Sequence, residues 1–361
     1  MTDLFSVRME PDWEGFLACI ARTREPERVH YIELFLDGEV QDAICDRFGL
    51  LDCLDPSDPA FPMKKQVRIQ SFLGYDYVRV GVDAIDLPLR RERAEDTATL
   101  RREAGRHFVD ETRGPITNWD EFEQYPWPDP GSFTTTALEW YQENLPDSMC
   151  IIAGAVGHYA ELLTWLMGYA TFCTALFEQE DLIQAIYDKI HGIFVACVDK
   201  MLQYSRVKAL WGSDDMGFRN GPLMSPPDLR KWVLSGHKVM ADLAHRAGMP
   251  YLLHSCGNLA LIMDDLLDYV RIDGKHSFED TIERVTEVKH TYGRRIALLG
   301  GIDVDFLCRA DERAVRQRVR ETLEVCMPGG GYCLGTGNSV ANYIPVENYL
   351  AMLDEGRRYS G

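Results

Sequence analysis

Short apolar runs alternate with longer segments of helical periodicity along most of the chain. The runs that predict strands are centred near residues 32, 78, 152, 210, 252, 271, 298 and 333, and segments with apolar residues at helical spacing separate them. Regular alternation of strands and helices indicates a parallel sheet, and eight strands is the number that closes a (β/α)8 TIM barrel. A doubly wound open sheet is the alternative arrangement of this α/β class.

Two segments do not fit this alternation. Residues 11–28 have apolar positions at helical spacing and predict an N-terminal helix, so that residues 1–27 form a cap on the barrel. Residues 84–147 are polar and rich in proline, and they predict a long insertion after the second strand, since such excursions are usually functional. The sequence shows no internal repeat and no interdomain linker, which favours one domain over residues 1–361.

Composition and charge narrow the class of protein. Of the 361 residues, 46% are hydrophobic and 26% charged, which is typical of a globular protein with a substantial core. The net charge of −19 disfavours binding to a nucleic-acid backbone, and no apolar run reaches the length of a membrane span. The ten cysteines lack the spacing of a disulfide scaffold. We therefore expect a cytoplasmic protein, in a reducing compartment, that binds neither nucleic acid nor membrane.

Residues that can bind metals or transfer protons fall at or just after the predicted strand ends. They are Glu33, Asp83, Asp214, Asp215, His254, Cys256, His276, Asp303 and Cys333. In a barrel these ends converge on the carboxyl-terminal mouth, where ligands bind, whereas in an open sheet only those beside the switch point meet. The distribution therefore favours the barrel.

His254 and Cys256 form the centre of the predicted site. They lie two residues apart at the end of an extended run, so their side chains point to the same face and can reach one ion. Cys333 follows a similar apolar run and is the third predicted ligand. Three nitrogen or sulfur ligands with a fourth position left open is how zinc is held in catalytic sites. The alternative is a satisfied core histidine and two buried thiols.

The chain resembles the uroporphyrinogen decarboxylase superfamily, whose members include corrinoid-dependent methyltransferases. The resemblance lies in WGSDD at residues 211–215, which is similar to the family's acidic fourth strand end. It lies also in LGTGNSV at 334–340 and IPVEN at 344–348, which are similar to the family's last strand and loop. It covers nearly the whole chain and implies the same (β/α)8 barrel.

The decarboxylase branch of this superfamily carries an Arg-Gln-Ala-Gly-Arg segment after its first strand, which grips substrate carboxylates, and a histidine in the last glycine loop. Here the first strand leads to Leu36-Asp37-Gly38, and Thr336 stands where that histidine is expected. A related sequence, REAGR at residues 102–106, follows the second strand instead. It is either a coincidence or a relocated anion contact.

The methyltransferase branch uses a His-x-Cys pair and a distant cysteine to bind zinc, and His254, Cys256 and Cys333 match that pattern. The resemblance therefore implies Zn2+ as a cofactor, with a corrinoid carried by a partner protein. We expect the last loop to bind the cofactor through Gly335, Thr336 and Asn338.

Four further residues are candidate catalytic groups: Glu33, Asp214, Asp215 and His276. One of the three acids could supply the fourth zinc ligand and yield to substrate, or could hydrogen-bond the substrate. His276 could orient a ligand or act as an acid, or it could be a satisfied histidine. Asp83 and Asp303 are weaker candidates.

The predicted function is zinc-dependent transfer of a methyl group between a small substrate and a separate corrinoid protein, since no cobalamin-binding domain is visible in the sequence. An aryl methyl ether, a methylamine, a thiol and a folate all remain open as the substrate. The first alternative is a metal-free tetrapyrrole decarboxylase, in which Asp83 or Asp214 holds pyrrole N–H groups. The second is a non-catalytic binding protein with a closed structural zinc site of four protein ligands.

Overall fold

The computed structural model describes residues 4–83, 85 and 87–360. The strands within them are β1 (Tyr77–Val80), β2 (Arg91–Ala94), β3 (Arg106–Val109), β4 (Cys150–Val156), β5 (Val207–Ser213), β6 (Gly217–Phe218), β7 (Gly221–Pro222), β8 (Tyr251–His254), β9 (Gly274–His276), β10 (Ala297–Leu299) and β11 (Tyr332–Cys333). The α-helices are α1 (Trp13–Ile20), α2 (Gly38–Phe48), α3 (Phe61–Leu73), α4 (Trp119–Gln124), α5 (Thr136–Asn144), α6 (Tyr159–Met167), α7 (Tyr169–Glu178), α8 (Glu180–Met201), α9 (Pro226–Leu229), α10 (Ser235–Arg246), α11 (Val285–Tyr292), α12 (Val304–Arg309), α13 (Glu312–Cys326) and α14 (Val346–Ser360).

Seven of the strands form one parallel sheet in the order β1-β4-β5-β8-β9-β10-β11. Helices connect successive strands of this sheet, as parallel pairing requires. The strands are short and apolar because both faces of such a sheet are covered. Pairing of Ser213 with His254, and of His254 with His276, places the carboxyl ends of β5, β8 and β9 side by side.

An eighth extended segment, residues 30–36, closes the sheet. Tyr31 forms a parallel bridge with Leu334, directly after β11. On the other side, Arg79 of β1 donates from Nη1 to the carbonyl oxygen of Leu34 at 2.9 Å. The segment therefore lies between the two edge strands, and the predicted (β/α)8 barrel is confirmed. The predicted first strand is present as isolated bridges, because side chains of β1 replace part of its backbone ladder.

The predicted sixth strand was misplaced. The apolar run at 269–273 predicted a strand, but the chain forms a π-helical turn at Asp265–Val270. Arg271 then adopts a left-handed conformation, with φ 65°, and ends that turn. The strand follows only at Gly274–His276, so His276 is its last residue and does not lie past its end.

The helical spacing of residues 226–246 predicts one helix, whereas the structure has α9, a π-helical turn at Arg230–Leu234 and α10. The spacing of residues 259–267 also predicts a helix, but the chain forms a 3-10 turn at Ala260–Ile262 before the π-helical turn. The helical pattern of residues 279–290 corresponds to α11, which begins only at Val285. The segment between β1 and β4 contains the β2–β3 hairpin, α4 and α5. The division into a cap, a barrel and an insertion stays a prediction.

No single helix of the described residues is both long and apolar enough to cross a membrane. Helices α6 and α7 meet that criterion only as a pair, and they are bent by 94° at their junction.

Candidate metal centre

Asp215, His254 and Cys256 bring one ligand atom each to within 4.8 Å of one another. Nε2 of His254 lies 3.5 Å from Sγ of Cys256 and 3.5 Å from Oδ1 of Asp215. His254 ends β8, and Asp215 follows the end of the neighbouring strand β5 by two residues. The structure therefore brings together two of the three predicted metal ligands and adds a carboxylate.

The two adjacent acids, which directly follow β5, point in opposite directions. Side chains alternate along an extended chain, so Asp215 points to the same side as Trp211, whose ring is buried in the barrel, whereas Asp214 points to the surrounding helices. Asp214 is fully buried and accepts hydrogen bonds from the backbone nitrogens of Ala160 at 2.8 Å and Glu161 at 3.0 Å. Nε2 of His237 lies 3.1 Å from it. Asp214 therefore holds the start of α6 instead of facing the mouth.

Cys333 lies apart from the group of Asp215, His254 and Cys256, so the structure does not bring the third predicted ligand to it. Its thiol is fully buried, lies in hydrogen-bonding contact with the thiol of Cys19 on α1, and has its pKa raised by burial. The physical reason is the depth of β11 in the barrel. Strand-like pairing continues beyond Cys333, since Thr336 bridges Ile302, so the chain reaches the mouth only after the cysteine.

The three clustered groups have pKa values set by burial and by one another. Burial lowers the pKa of His254, although Asp215 opposes that shift. Burial alone would raise the pKa of Asp215, but hydrogen bonds from His254 and from the backbone of Cys256 lower it to about 2. Burial and the negative charge of Asp215 raise the pKa of Cys256 to about 12. At neutral pH the group therefore offers an unprotonated carboxylate and a neutral imidazole, and the thiol must lose its proton to bind a cation.

Polar neighbours hold Cys256 in place. Nδ2 of Asn338 donates to its Sγ at 3.2 Å, and Oγ of Ser277 does so at 3.6 Å. Ser277 has φ 88°, a conformation that non-glycine residues rarely adopt and that tends to occur at functional sites. Gly257, with φ 87°, allows the turn after Cys256, since a Cβ there would lie 2.1 Å from the carbonyl oxygen of Gly217.

His276 lies directly behind His254. The ring is fully buried, its Nδ1 lies 2.7 Å from Nδ1 of His254, and its Nε2 has no hydrogen-bond partner among the described residues. Burial holds its pKa well below the usual range, so the imidazole is neutral. Trp211 packs against it edge-on, with ring centroids 5.3 Å apart. His276 is therefore placed to orient His254.

Glu33 and Thr336 form a separate buried pair. The Thr336 backbone nitrogen donates to Oε1 of Glu33 at 2.7 Å, and the Thr336 hydroxyl lies 2.6 Å from Oε2. Burial raises the pKa of Glu33 to about 8, so the carboxyl group is largely protonated at pH 7. Gly335 packs against the first segment, since a Cβ would lie 1.9 Å from the carbonyl oxygen of Ile32. Of the three predicted cofactor-binding residues, only Asn338 contacts the metal group.

The remaining candidates have structural partners. Asp83 accepts from the backbone nitrogen of Thr136 at the start of α5, at 3.2 Å. Asp303 caps α12 by accepting from the backbone nitrogen of Phe306 at 2.8 Å. In the REAGR sequence, Arg102 binds both carboxylate oxygens of Glu39, and Arg106 binds Asp96 and Asn342. These contacts favour coincidence over a relocated anion contact.

A cavity of about 520 Å³ opens beside Asp215. Its walls include Trp165, Tyr169 and Phe218, and Glu161 contributes a carboxylate. The ring nitrogen Nδ1 of His158, a residue that sequence reasoning missed, lies 2.6 Å from that carboxylate. The sequence offered only a weak signal for this cavity, because the aromatic residues fall at helical spacing on α6 and α7 and resemble ordinary core positions.

Arg79 is the second residue missed by sequence reasoning. It lies on the same face of β1 as Tyr77, and its guanidinium carbon lies 5.2 Å from the centre of the Trp211 ring. An arginine at an inward position of a short buried strand was a signal in the sequence, since charged residues are rarely buried without a reason.

One solved structure shares the fold of this chain. A methyltransferase from Methanosarcina mazei superposes with a TM-score of 0.67 and 19% identity, over 96% of this chain and 98% of that one. A putative vitamin-B12-independent methionine synthase from Listeria monocytogenes gives a TM-score of 0.42 and 14% identity, over 92% and 95% of the two chains. No curated protein matches this sequence significantly.

The sequence pattern of the family described as uroporphyrinogen decarboxylase (URO-D) matches residues 109–359, which is more than half of the chain and includes six of the eight strands of the barrel described above. The chain therefore belongs to the uroporphyrinogen decarboxylase family.

Proposed function

We propose that this protein is a zinc-dependent methyltransferase that moves a methyl group between a small substrate and a corrinoid carried by a separate protein. One observation carries the proposal, namely the group formed by Asp215, His254 and Cys256 at the carboxyl ends of adjacent barrel strands. Active sites of (β/α)8 enzymes lie at this end of the barrel. The name of the Methanosarcina mazei neighbour is consistent with the proposal.

The donor set fits zinc. An imidazole nitrogen, a thiol sulfur and a carboxylate oxygen are all zinc ligands, and three protein ligands leave a position open for a reactant. The half-exposed Asp215, at 47% of its side chain, lies on the solvent side of the group. A zinc ion held there would act as a Lewis acid and would lower the pKa of a thiol or activate a methyl donor.

Residues of the chain supply positioning. His254 and Cys256 are fixed by His276 and Asn338, and the backbone nitrogen of Cys256 donates to Asp215 at 3.0 Å. These contacts pre-organise the donors, which reduces the reorganisation that binding requires. The cavity beside Asp215 is walled by aromatic side chains and suits a small organic substrate next to the metal group.

The partner protein and the compartment remain parts of this proposal. Methyl transfer with a corrinoid needs a carrier that can reach the barrel mouth, and a separate corrinoid protein would fill that role. A reducing cytoplasm would suit the site, because Cys256 must stay a free thiol to bind a cation.

The alternatives receive less support. For tetrapyrrole decarboxylation, Asp83 and Asp214 were the predicted pyrrole ligands, but Asp83 binds α5 and Asp214 is buried behind α6. For a closed structural zinc site, four protein ligands are required, whereas three gather in the described ranges, 4–83, 85 and 87–360.

Purified protein, loaded with zinc, tests the proposal with free methylcobalamin as the methyl donor and a small thiol as the acceptor. We expect the methylcobalamin spectrum to disappear at a rate that depends on zinc and falls at least 100-fold in Cys256→Ala. Turnover of uroporphyrinogen by metal-free protein, with no methyl transfer, would favour the decarboxylase instead.

A further inference from the structure

Arg79 is an arginine without an ionic partner inside the barrel. Its Nη1 donates to the backbone oxygen of Leu34, and its Nε is buried without a hydrogen-bond acceptor among the described residues. No carboxylate of those residues lies within ion-pair distance of it, whereas Arg102 has Glu39. Buried cations in proteins are normally paired, because removing a charge from water is costly. Arg79 is therefore an exception that needs a physical reason.

Its neighbours are unsatisfied in the same way. Nε1 of Trp211 and Nε2 of His276 are buried, and neither has a hydrogen-bond partner in the described part of the chain. The three residues are in contact, since the Arg79 guanidinium lies over the Trp211 ring and that ring packs against His276. Gly154 makes room for the guanidinium, because a Cβ there would lie 2.8 Å from Nε. The barrel interior thus contains a cluster of nitrogen atoms with spare hydrogen-bonding capacity.

The charge of this cluster is positive although the whole chain carries −19. The carboxylate of Glu161 is already paired with His158. The guanidinium charge is left uncompensated.

We propose that Arg79 binds the carboxylate group of an anionic substrate inside the barrel mouth, with Trp211 packed against the guanidinium. The proposal names the substrate class for the methyl transfer proposed above and rests on that function. A planar guanidinium matches a carboxylate in shape, and Nε of Arg79 has no acceptor among the described residues. Contacts from Arg79 through Trp211 and His276 lead to His254, so the guanidinium and the metal group belong to the same connected cluster of the barrel interior.

Calorimetric titration separates charge from shape. The probes are 4-methoxybenzoate and the uncharged 4-methoxybenzyl alcohol, each added to metal-free and to zinc-loaded protein. We expect the carboxylate to bind at least about 10-fold more tightly than the alcohol in both forms, which is the scale of one charge-assisted contact. Inorganic phosphate is the competitor, and we expect it to displace the carboxylate poorly.

Variants assign the effect to Arg79. Arg79→Gln should lower the affinity for the carboxylate by about 10- to 100-fold and leave the affinity for the alcohol unchanged. Arg79→Lys should have an intermediate affinity for the carboxylate, because lysine keeps the charge but lacks the planar guanidinium that binds both carboxylate oxygens. Gly154→Ala places a methyl group about 2.8 Å from Nε of Arg79, and it should weaken binding of the carboxylate with Arg79 intact. Arg102→Gln removes an arginine already bound to Glu39, and it is the matched control that should change nothing.

Three results would overturn the carboxylate assignment. The first is equal affinity for the two probes, and the second is an Arg79→Gln variant that binds the carboxylate as tightly as the parent. The third is displacement of the carboxylate by an equal concentration of phosphate. Circular dichroism shows whether each variant folds. If Arg79→Gln does not fold, the two other variants, Arg79→Lys and Gly154→Ala, still test the assignment. Because binding is measured without metal or methyl transfer, failure here leaves the proposed methyl transfer untouched. Conversely, a protein that binds the carboxylate but no zinc would contradict only the proposed function.

Discussion

The Nδ1 atoms of His254 and His276 lie 2.7 Å apart, so one of these rings donates a hydrogen bond to the other. When Nε2 of His254 binds a metal ion, the proton of that ring is on Nδ1 and His276 is the acceptor. Nε2 of His276 then carries the remaining proton. His276 is therefore placed to hold the ring orientation of a metal ligand, a role that partners behind metal-binding histidines commonly have.

Replacing His276 should weaken metal binding without removing a ligand. We expect His276→Phe to lower zinc affinity by about 10- to 100-fold, as measured by competition with a chromophoric chelator. His276→Asn should restore part of the loss, since its amide oxygen can accept from His254. His245→Asn is the control, because His245 pairs with Asp273 away from the site. Wild-type affinity in His276→Phe would show that the second imidazole does not orient the first.

Asp214 and Asp215 are adjacent but should respond to substitution in opposite ways. Asp214→Ala removes the acceptor for two backbone nitrogens of α6 and for His237, so the free energy of unfolding should fall by about 2–4 kcal/mol. Folded Asp214→Ala should still bind zinc. Asp215→Ala loses the contacts from the Cys256 backbone and the His254 ring at a half-exposed site, and it should cost only about 1–2 kcal/mol but abolish tight zinc binding.

Urea denaturation and elemental analysis of the same two preparations make this comparison. If Asp214→Ala lost the metal while Asp215→Ala kept it, the assignment of the two carboxylates would be reversed.

The two downstream cysteines provide a second contrast. Cys256→Ala removes a proposed ligand and should leave less than a tenth of the zinc of the parent protein. Cys333→Ala should retain zinc, because the Cys333 thiol lies beside Cys19, and it should lower the free energy of unfolding by about 1–2 kcal/mol through lost packing. Loss of zinc from Cys333→Ala at unchanged stability would return Cys333 to the ligand set.

The buried Glu33 predicts a pH dependence of stability. Its pKa is raised by burial from 4.5 to about 8, so the folded chain keeps a proton that the unfolded chain has lost. The free energy of unfolding should therefore fall as pH rises from about 4.5 to about 8. Glu33→Gln can keep both contacts to Thr336 but has no group that titrates. Its free energy of unfolding relative to the parent should therefore be higher at pH 8 by a few kcal/mol, since one pKa unit corresponds to about 1.4 kcal/mol.

Thermal or urea unfolding at pH 5 and pH 8 provides the measurement. Glu347→Gln is the matched control, because that side chain is 71% exposed and should leave the pH profile unchanged. A profile of Glu33→Gln parallel to that of the parent would rule out a buried protonated carboxyl group.

Much of the fold could be predicted from the sequence because apolar runs record which segments are buried. The runs ending at Val80, His254 and Leu299 became strands of the sheet. The run at 269–273 did not, because a short apolar segment also fits a tight helical turn, and the left-handed Arg271 that separates that turn from β9 has no signature in the pattern.

The site was predicted less completely, because residue spacing does not reveal depth in a tilted barrel. His254 and Cys256 were found because they lie on one short segment. Cys333 lies apart from these two residues because strand-like pairing continues past it, which its spacing does not reveal. Asp215 and Asp214 are adjacent, and only the direction of Trp211 separates their roles. Arg79 escaped notice because its significance lies in the lack of an ionic partner within the described residues, which a sequence does not show.

X-ray absorption spectroscopy of the zinc-loaded protein tests the central claim most directly, because it counts the sulfur neighbours of the ion. A centre built from Asp215, His254 and Cys256 predicts one sulfur ligand, with nitrogen or oxygen in the other positions, and loss of that sulfur signal in Cys256→Ala. Two sulfur ligands, or a protein that takes up no zinc, would contradict it.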